Sequence, residues 1–387
     1  MLRIPVEQSG ALAAPAWIEV DLDAIAHNVR AFRRFVPAPA RLVAVVKANA
    51  YGHGMLRVAR AALAAGADDL AVASVLEGAA LRAAGITAPI LIAGPIFADE
   101  AGAVVQHGLV PSLATTELAA ALARATRRYL PVQIEVDTGM SRYGVPRREL
   151  PAFVQSLHDR GRLTVAGVYT HFAGTEGDDA YGLREQLAAF DDVVGGVRAL
   201  RGVRQHACNT LATLLLPEAH RDAVRIGGGL YGFDPLRGGG PLSLRPALTL
   251  KARIIDLRQA AVGDGVGYGA TFVCRRPTRL ALLPIGYADG LARELWQGAD
   301  VLVRGRKAPI VGLISMNLTV VDVTDAPAVL GEEVVLLGSQ GGERLSAEQR
   351  TPPGGSCYEV TSLLRPGLPR RYLGGTVEPT REGRALP

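Results

Sequence analysis

The chain has 387 residues, of which 49% are hydrophobic and 20% charged, so it can bury a large core without disulfides. Its formal net charge is +5, and 5% aromatic content with interspersed charges excludes an extended platform for stacking nucleic-acid bases. The three cysteines are widely spaced and form no CxxC pair, which argues against a zinc site or a disulfide framework. We therefore expect a globular protein of about two domains that binds neither nucleic acid nor a metal ion.

The N-terminal segment does not predict a targeting signal. Its apolar residues 11–18 continue directly into Glu19-Val20-Asp21, which indicates a strand followed by the start of a helix. No stretch approaches the roughly 20 apolar residues of a membrane span. These features predict a cytoplasmic protein with no membrane contact.

From residue 20 to residue 246, short apolar strands alternate with amphipathic helices. The predicted strands are 42–47, 70–74, 90–93, 108–111, 132–136, 165–169, 205–206 and 224–226, and the main helices are 23–36, 55–65, 76–84, 115–125, 148–157 and 181–200. Eight strands in such an alternation predict a TIM-type α/β barrel with a parallel eight-stranded sheet. In such barrels the chemistry lies where the strands end.

Residues 232–246 are rich in Gly, Pro and Arg and are predicted to be a linker. After it, strands follow one another at short spacing, at 248–257, 278–285, 300–303, 308–314, 318–323 and 333–337. This pattern predicts a second, mainly antiparallel β domain over residues 247–387. The first strand, within residues 15–20, precedes the barrel and is expected to join that domain.

Lys47 ends the strand in which the apolar, β-branched residues are most continuous. The run Val43-Ala44-Val45-Val46 stops at this lysine, and the turn-forming residues Asn49, Gly52 and Gly54 follow. Partial burial disfavours the charged form of a lysine and leaves a nucleophilic nitrogen. The alternative is a lysine whose amine simply reaches the surface.

The last two predicted barrel strands are followed by groups that suit a phosphate. Thr210 offers a hydroxyl, and Gly227 and Gly228 allow backbone N–H groups to approach an anion closely. The last two strands are also where barrels most often bind phosphate. A phosphate-bearing carbonyl cofactor that forms a Schiff base with a lysine is pyridoxal 5′-phosphate (PLP).

The chain resembles the alanine racemase family of fold-type III PLP enzymes over nearly its whole length. The lysine segment and the segment around Tyr268 are the most specific parts of the resemblance. The matching segments are Trp17-Ile18-Glu19-Val20-Asp21-Leu22-Asp23, Val45-Val46-Lys47-Ala48-Asn49-Ala50-Tyr51-Gly52-His53-Gly54, Asp137-Thr138-Gly139-Met140, Thr170-His171-Phe172, Gly267-Tyr268-Gly269-Ala270-Thr271 and Ile285-Gly286-Tyr287-Ala288-Asp289-Gly290.

The resemblance implies a racemase that interconverts L- and D-alanine in a homodimer with shared active sites and supplies D-alanine for peptidoglycan. Lys47 would carry the cofactor and act on one face of the substrate, and Tyr268 of the partner subunit would act on the other. The implied cofactor-binding residues are Lys47, Tyr51, His171, His206, Thr210, Arg225, Gly227 and Gly228, with Arg225 opposite the pyridine nitrogen. Arg142, Tyr287 and Met316 are the implied substrate-binding residues.

Three positions depart from the family pattern. Glu135 replaces a lysine that is carbamylated in many members, and we expect it to support the site by pairing with Arg142. Asn317 removes a negative charge that many members have. Pro366 takes the place of a tyrosine, which predicts a wider substrate pocket and makes a serine or broad-specificity racemase an alternative.

Two further alternatives share the barrel. A basic-amino-acid decarboxylase of the same fold type would place a glutamate against the pyridine nitrogen and a cysteine opposite the lysine, so Arg225 and Tyr268 argue against it. A non-catalytic, PLP-binding regulator would consist of the barrel alone, so the predicted second domain argues against that reading.

Overall fold

The computed structural model describes residues 14–174, 180–352 and 354–375. Eight parallel strands lie side by side in the first sheet, in an order that follows the chain except that the last strand pairs with the first, and a ninth, two-residue strand, Val145–Pro146, pairs with Leu130–Asp137. This confirms the predicted barrel-type α/β architecture. The strands are Arg41–Val45, Asp69–Val72, Ile90–Ile92, Val110–Leu113, Leu130–Asp137, Leu163–Tyr169, Arg204–His206 and Ala223–Ile226.

Backbone hydrogen bonds close the sheet between its seventh and eighth strands. The N–H of Asp222 donates to the carbonyl of Gln205 at 3.0 Å, and the N–H of Arg225 donates to the carbonyl of Cys208 at 2.9 Å. The eighth strand pairs in parallel register with Arg41–Val45 on its other side. The carboxyl ends of the first and last strands are therefore neighbours.

Helices cover the outside of the barrel and bury one face each. In Leu22–Phe35 the carboxylate of Asp21 caps the helix by accepting from the N–H of Ala24, and Ile25, Val29 and Phe32 are fully buried. The other barrel helices are Met55–Ala64, Val75–Ala83, Ala101–Gln106, Thr116–Ala125, Leu150–His158, Ala180–Gly196 and Thr210–Leu215.

The second part of the chain is built from mainly antiparallel strands. The strand Ala16–Asp21 pairs antiparallel with Leu248–Arg253 and parallel with Arg370–Leu373, so the first and last strands of the described residues meet in one sheet. The remaining strands are Asp256–Ala260, Gly265–Val266, Phe272–Val273, Thr278–Leu283, Asp300–Val303, Arg306–Pro309, Thr319–Asp322, Glu333–Gln340 and Glu343–Leu345.

Some predicted elements differ from the observed ones. The predicted strand 248–257 is two strands in different sheets, because the chain turns at Ile254 and Ile255 and changes its hydrogen-bond partners. The predicted helix 181–200 ends at Gly196, where two consecutive glycines disfavour helix. The short helices Ala347–Arg350 and Cys357–Ser362 were not predicted, since each spans too few residues to show a helical period.

Two sets of contacts fix the second part of the chain against the barrel. Asn28, which is fully buried, donates to the carbonyls of Leu230 and Arg245 and accepts from the N–H of Arg245, so it holds the connecting segment to the first helix. The guanidinium of Arg370 donates to the carbonyl of Gly52 at 2.8 Å. The second contact reaches the segment that follows Lys47.

No helix in the described part of the chain combines the length and the apolar character that crossing a lipid bilayer requires.

Candidate active site

Lys47 lies just beyond the carboxyl end of the strand Arg41–Val45, at the start of an unusual turn. The four residues after it have left-handed backbone angles, with φ of 52° at Ala48, 52° at Asn49, 55° at Ala50 and 52° at Tyr51. For residues with a Cβ this conformation costs about 1–2 kcal/mol each. The surrounding structure must therefore hold the turn in place.

Glu77, at the start of the helix Val75–Ala83, provides much of that support. Its carboxylate accepts from the N–H of Ala48 at 2.6 Å and from the N–H of Ala73 at 2.9 Å. The side chain of Asn49 accepts from the N–H of Met55 at 2.9 Å, which joins the turn to the next helix. These bonds direct the chain so that Lys47 and Tyr51 both face the barrel.

Most of the predicted site residues line one cavity of about 220 Å³ at the carboxyl end of the barrel, which we call the Lys47 cavity. Burial lowers the pKa of Lys47, and the charge of Arg142 lowers it further, against the smaller opposing effects of Glu77 and Glu135. The predicted residues in the lining are Lys47, Tyr51, Glu135, Arg142, His171, Thr210, Arg225, Gly227 and Gly228.

One end of the cavity is lined with hydroxyls and glycine N–H groups. The Thr210 hydroxyl accepts from the N–H of Gly227 at 3.1 Å and from that of Gly229 at 3.3 Å. A methyl group placed on Gly227 would lie 2.8 Å from the Tyr51 hydroxyl oxygen, and one on Gly228 would lie 2.8 Å from that of Tyr358. This concave group of donors suits the oxygens of a phosphate.

The opposite side of the cavity contains a buried arginine held in one orientation. Arg225 donates from Nη1 to Nδ1 of His206 at 2.6 Å, and from Nη2 to the carbonyls of Thr170 and Ala207. His206 can accept there because its Nε2 donates to the Gln133 side-chain oxygen at 2.6 Å. His206 thus acts behind the cavity wall, and Arg225 presents its guanidinium to the cavity.

Two histidines near this arginine are held neutral. Burial lowers the pKa of His206 well below its usual value, and the charge of Arg225 adds to the effect. Burial also lowers the pKa of His171 strongly, together with the charges of Arg225, Arg142 and Lys47. Both imidazole rings are therefore uncharged near pH 7.

The predicted ion pair between Glu135 and Arg142 is not formed among the described residues. Glu135 is 5% exposed and its carboxylate accepts from the Tyr169 hydroxyl at 2.7 Å, whereas Arg142 lies at the exposed mouth of the cavity. Burial raises the pKa of Glu135, and the charges of Arg225 and Arg142 oppose that effect from a longer range. The prediction of direct pairing was wrong because Glu135 points into the barrel.

Tyr268, Tyr287 and Met316 do not line the Lys47 cavity of their own chain. They lie on neighbouring loops of the second part of the chain and are 68%, 42% and 56% exposed. The loops of Tyr287 and Met316 are joined by hydrogen bonds from the N–H of Tyr287 to the carbonyl of Ser315 and from that of Ala288 to the carbonyl of Met316. Because two of them are tyrosines, we call these three side chains, Met316 included, the exposed aromatic group.

Pro366 was expected to widen the substrate pocket, but it lies elsewhere in its own chain. It lines a second cavity, of about 450 Å³, within the second part of the chain, together with Tyr287 and the segment around Leu363. That cavity shares no lining residue with the Lys47 cavity. The substitution by proline therefore does not alter the Lys47 cavity of the same chain.

Three further polar lining residues were not predicted to belong to the site. Tyr169, Asn209 and Tyr358 all face the Lys47 cavity. Tyr169 stacks on His206 with ring centroids 4.7 Å apart, and Tyr358 belongs to the short helix Cys357–Ser362. Tyr169 ends a predicted barrel strand and Asn209 directly precedes Thr210, so their proximity to the predicted residues was the available signal.

The chain matches two family models, "Alanine racemase, N-terminal domain" over residues 20–235 and "Alanine racemase, C-terminal domain" over residues 247–372. It is 42% identical to an alanine racemase of Symbiobacterium thermophilum, covering 94% of this chain and 98% of that relative. The structure resembles the alanine racemase of Bacillus anthracis with bound L-Ala-P, with a TM-score of 0.88, 34% identity and coverage of 94% and 96%. It also resembles a histidine racemase of Leuconostoc mesenteroides, with a TM-score of 0.86, 28% identity and coverage of 94% and 100%.

A partly buried lysine that faces a phosphate cradle across a barrel mouth defines a PLP-dependent enzyme, and the residues present fit that cofactor. The Tyr51, Thr210 and Tyr358 hydroxyls and the glycines would hold its phosphate, and Lys47 its carbonyl carbon. With both family models matched in chain order, the chain belongs to the alanine racemase family, whose members depend on PLP.

Replacing Tyr358 tests the phosphate cradle. We expect Tyr358→Phe to weaken PLP binding about tenfold, because a hydrogen bond to a charged group contributes about 1.5–3 kcal/mol. Equilibrium dialysis of the apoprotein with PLP measures this. Tyr129→Phe, at a tyrosine that is 78% exposed, is the matched control. Equal PLP affinity in wild type and Tyr358→Phe would show that Tyr358 makes no contact with the phosphate.

Replacing Arg142 tests the electrostatic environment of Lys47. In Arg142→Gln a positive charge is lost, so protonated Lys47 becomes less unfavourable and its pKa rises. The rate at which the apoprotein forms a Schiff base with PLP, followed against pH, should have its midpoint below about 10.4 in wild type and at higher pH in the variant. Arg147→Gln, at an exposed arginine, should leave the midpoint unchanged. A downward shift in Arg142→Gln would contradict this account.

Proposed function

We propose that this chain is a PLP-dependent racemase that interconverts L- and D-alanine by moving a proton at Cα. The observation that carries the proposal is the Lys47 amine, partly buried and beside Arg142, in the same cavity as the hydroxyl and glycine cradle. Membership of the alanine racemase family over most of the chain supports the reaction and the substrate.

Lys47 acts on one face of the substrate. When bound, PLP makes the Cα proton of the substrate more acidic, because it delocalises the electron pair that proton removal leaves behind. Nζ of Lys47 then takes or returns the Cα proton, and its lowered pKa favours the neutral amine that this step requires. The left-handed turn keeps the amine close to the cradle that would hold the cofactor.

The second face needs a second acid–base group, which we assign to Tyr268 of the partner subunit in a homodimer. Racemisation by one base alone would require that base to cross the plane of the substrate. Within one chain Tyr268 is 68% exposed and lies outside the Lys47 cavity. Docking the exposed aromatic group over the cavity mouth of a second subunit would bury three large side chains and complete both sites.

Arg225 would face the pyridine nitrogen of the cofactor. Its guanidinium is fixed by His206, Thr170 and Ala207, so it presents donors but no acceptor to the cavity. A pyridine nitrogen opposite such a cation stays unprotonated, which limits how far the electron pair is drawn from Cα. The pair then remains available for reprotonation at Cα, and transamination is disfavoured.

Alanine is the proposed substrate, and the alternatives are less well supported. The decarboxylase reading is not favoured, because the family models match alanine racemase domains over both parts of the chain. Serine or broad specificity remains the alternative within the reaction class, given Asn317. In our proposal Arg142, with Met316 and Tyr287 of the partner subunit, limits the space for the side chain.

The biological setting is a prediction of the family resemblance. We expect the reaction to take place in the cytoplasm and to supply D-alanine for peptidoglycan, because a racemase of this kind provides the D-enantiomer from an abundant L-amino acid. A catabolic role, in which D-alanine is consumed, would use the same chemistry in the opposite direction.

Isotope exchange with single amino acids tests the proposed reaction. The PLP-loaded protein in D2O should incorporate deuterium at Cα of L-alanine and form D-alanine, as followed by mass spectrometry and polarimetry. Lys47→Ala should lose this activity, since it removes both the cofactor linkage and one base. Exchange with L-serine but not with L-alanine would contradict the assignment of alanine as the substrate. Release of CO2 from basic amino acids would contradict the assignment of the chain as a racemase.

Mixing two inactive variants tests the shared site. Lys47→Ala and Tyr268→Phe should each be inactive alone, and mixed after dissociation they should recover about a quarter of the wild-type rate. Half of randomly mixed dimers pair one copy of each variant, and such a dimer has one intact site and one doubly altered site. No recovery, with heterodimers verified by differential tagging, would show that Lys47 and Tyr268 act from the same chain.

A further inference from the structure

The second cavity, of about 450 Å³, lies among the strands of the second part of the chain. Its walls include Leu250, Val301, Ile310 and Leu336, all of which are buried in the hydrophobic core. Cavities of this size are typical of small-molecule sites. It shares no lining residue with the Lys47 cavity of the same chain, and Tyr287 is its one lining residue that we also assign to the shared substrate site.

Arg350 places a cation in this apolar wall. The residue is 4% exposed, and its Nε has no hydrogen-bond partner within the described residues. Its guanidinium donates from Nη2 to the carbonyl of Asp300, although a guanidinium carries five N–H donors. The charge of Asp300 acts on this buried cation, but among the described residues no carboxylate forms an ion pair with it, so an anion in the cavity would supply the partner that Arg350 lacks.

The other charged lining groups already have partners. Arg365 forms an ion pair with Asp289 at 3.0 Å, and the carboxylate of Glu359 accepts from the N–H of Ser356 at the start of its own helix. Within the described part of the chain no ion pair joins Glu359 to Arg350. Burial lowers the pKa of Arg350 to about 10, so the guanidinium remains charged near neutral pH.

We propose that this cavity binds a small aliphatic monocarboxylate, with its carboxylate on Arg350 and its hydrocarbon chain along the apolar walls. One cation accounts for one carboxylate, and the scarcity of other polar groups disfavours a sugar or a nucleotide. The site lies outside the Lys47 cavity, with Tyr287 as the residue that borders both it and the shared substrate site, and its ligand is more apolar than alanine.

Calorimetric titration of the PLP-loaded protein with octanoate tests the proposal. We expect saturable binding of one octanoate per chain, in the presence of saturating alanine as well as in its absence. Octan-1-ol, which has the same hydrocarbon length and no charge, should bind at least about tenfold more weakly because it cannot form a charge-assisted hydrogen bond with Arg350. Equal affinity for octanol and octanoate would refute the role of the arginine.

Two variants test the site independently, one by removing its charge and the other by filling its volume. Arg350→Met removes the cation with little change in length, and Ala292→Phe fills the cavity while keeping the arginine. Each should weaken octanoate binding at least about tenfold, and Arg344→Met, at an exposed arginine outside the cavity, should not. Retained racemase activity would verify that a variant is folded. Wild type that does not bind octanoate, or full affinity in both folded variants, would overturn the proposal.

Discussion

The left-handed turn from Lys47 to Tyr51 is the constraint on which the site depends. Four consecutive residues with a Cβ adopt a conformation that each disfavours by about 1–2 kcal/mol. The turn brings the amine of Lys47 and the hydroxyl of Tyr51 to the same cavity, although only three residues separate them. Glu77 and Asn49 stabilise it within the barrel, and Arg370, from the far end of the chain, donates to Gly52. The sheet that unites the two chain ends is therefore part of the support of the lysine.

The charges around the cavity are arranged so that few of them neutralise each other directly. The hydrogen bonds of Arg225 go to neutral acceptors, and the buried carboxylate of Glu135 is bonded to a tyrosine hydroxyl rather than to a cation. Such an arrangement leaves the charge of Arg142 acting on Lys47, and the charges of Arg225 and Arg142 acting on His171. An ion pair between Glu135 and Arg142 would have weakened that field. The observed geometry instead favours a neutral lysine, which is the form that a Cα base requires.

Sequence patterns predicted the barrel, and they placed Lys47 and the proposed phosphate cradle where the structure brings them into one cavity, because these features are local. Strand periodicity predicts where each strand ends. Because Lys47, Thr210 and Gly227 follow the ends of parallel strands, they are expected at one edge of the sheet. Tyr358 was not predicted, because it approaches from a six-residue helix that lies about 130 residues further along the chain than the cradle it faces. The left-handed turn was beyond prediction for a different reason. No intrinsic preference of Ala, Asn or Tyr favours four such residues in succession, so only tertiary contacts determine the turn.

The second part of the chain has two separate relations to catalysis, and they are on different surfaces. Its inner contacts, through Arg370 and Tyr372, reach the lysine turn of the same chain. A methyl group placed on Gly54 would lie only 1.9 Å from the Tyr372 hydroxyl oxygen, so the two segments are closely packed. Its exposed aromatic group does not line the Lys47 cavity of that chain. A rigid junction between barrel and β strands is then required for both purposes. The inner contacts hold the lysine in place, and the same rigidity gives the exposed loops a defined position relative to it. In the proposed homodimer, a two-fold axis would place the exposed loops of each chain over the barrel of the other, so each barrel would receive the group that its own chain does not supply.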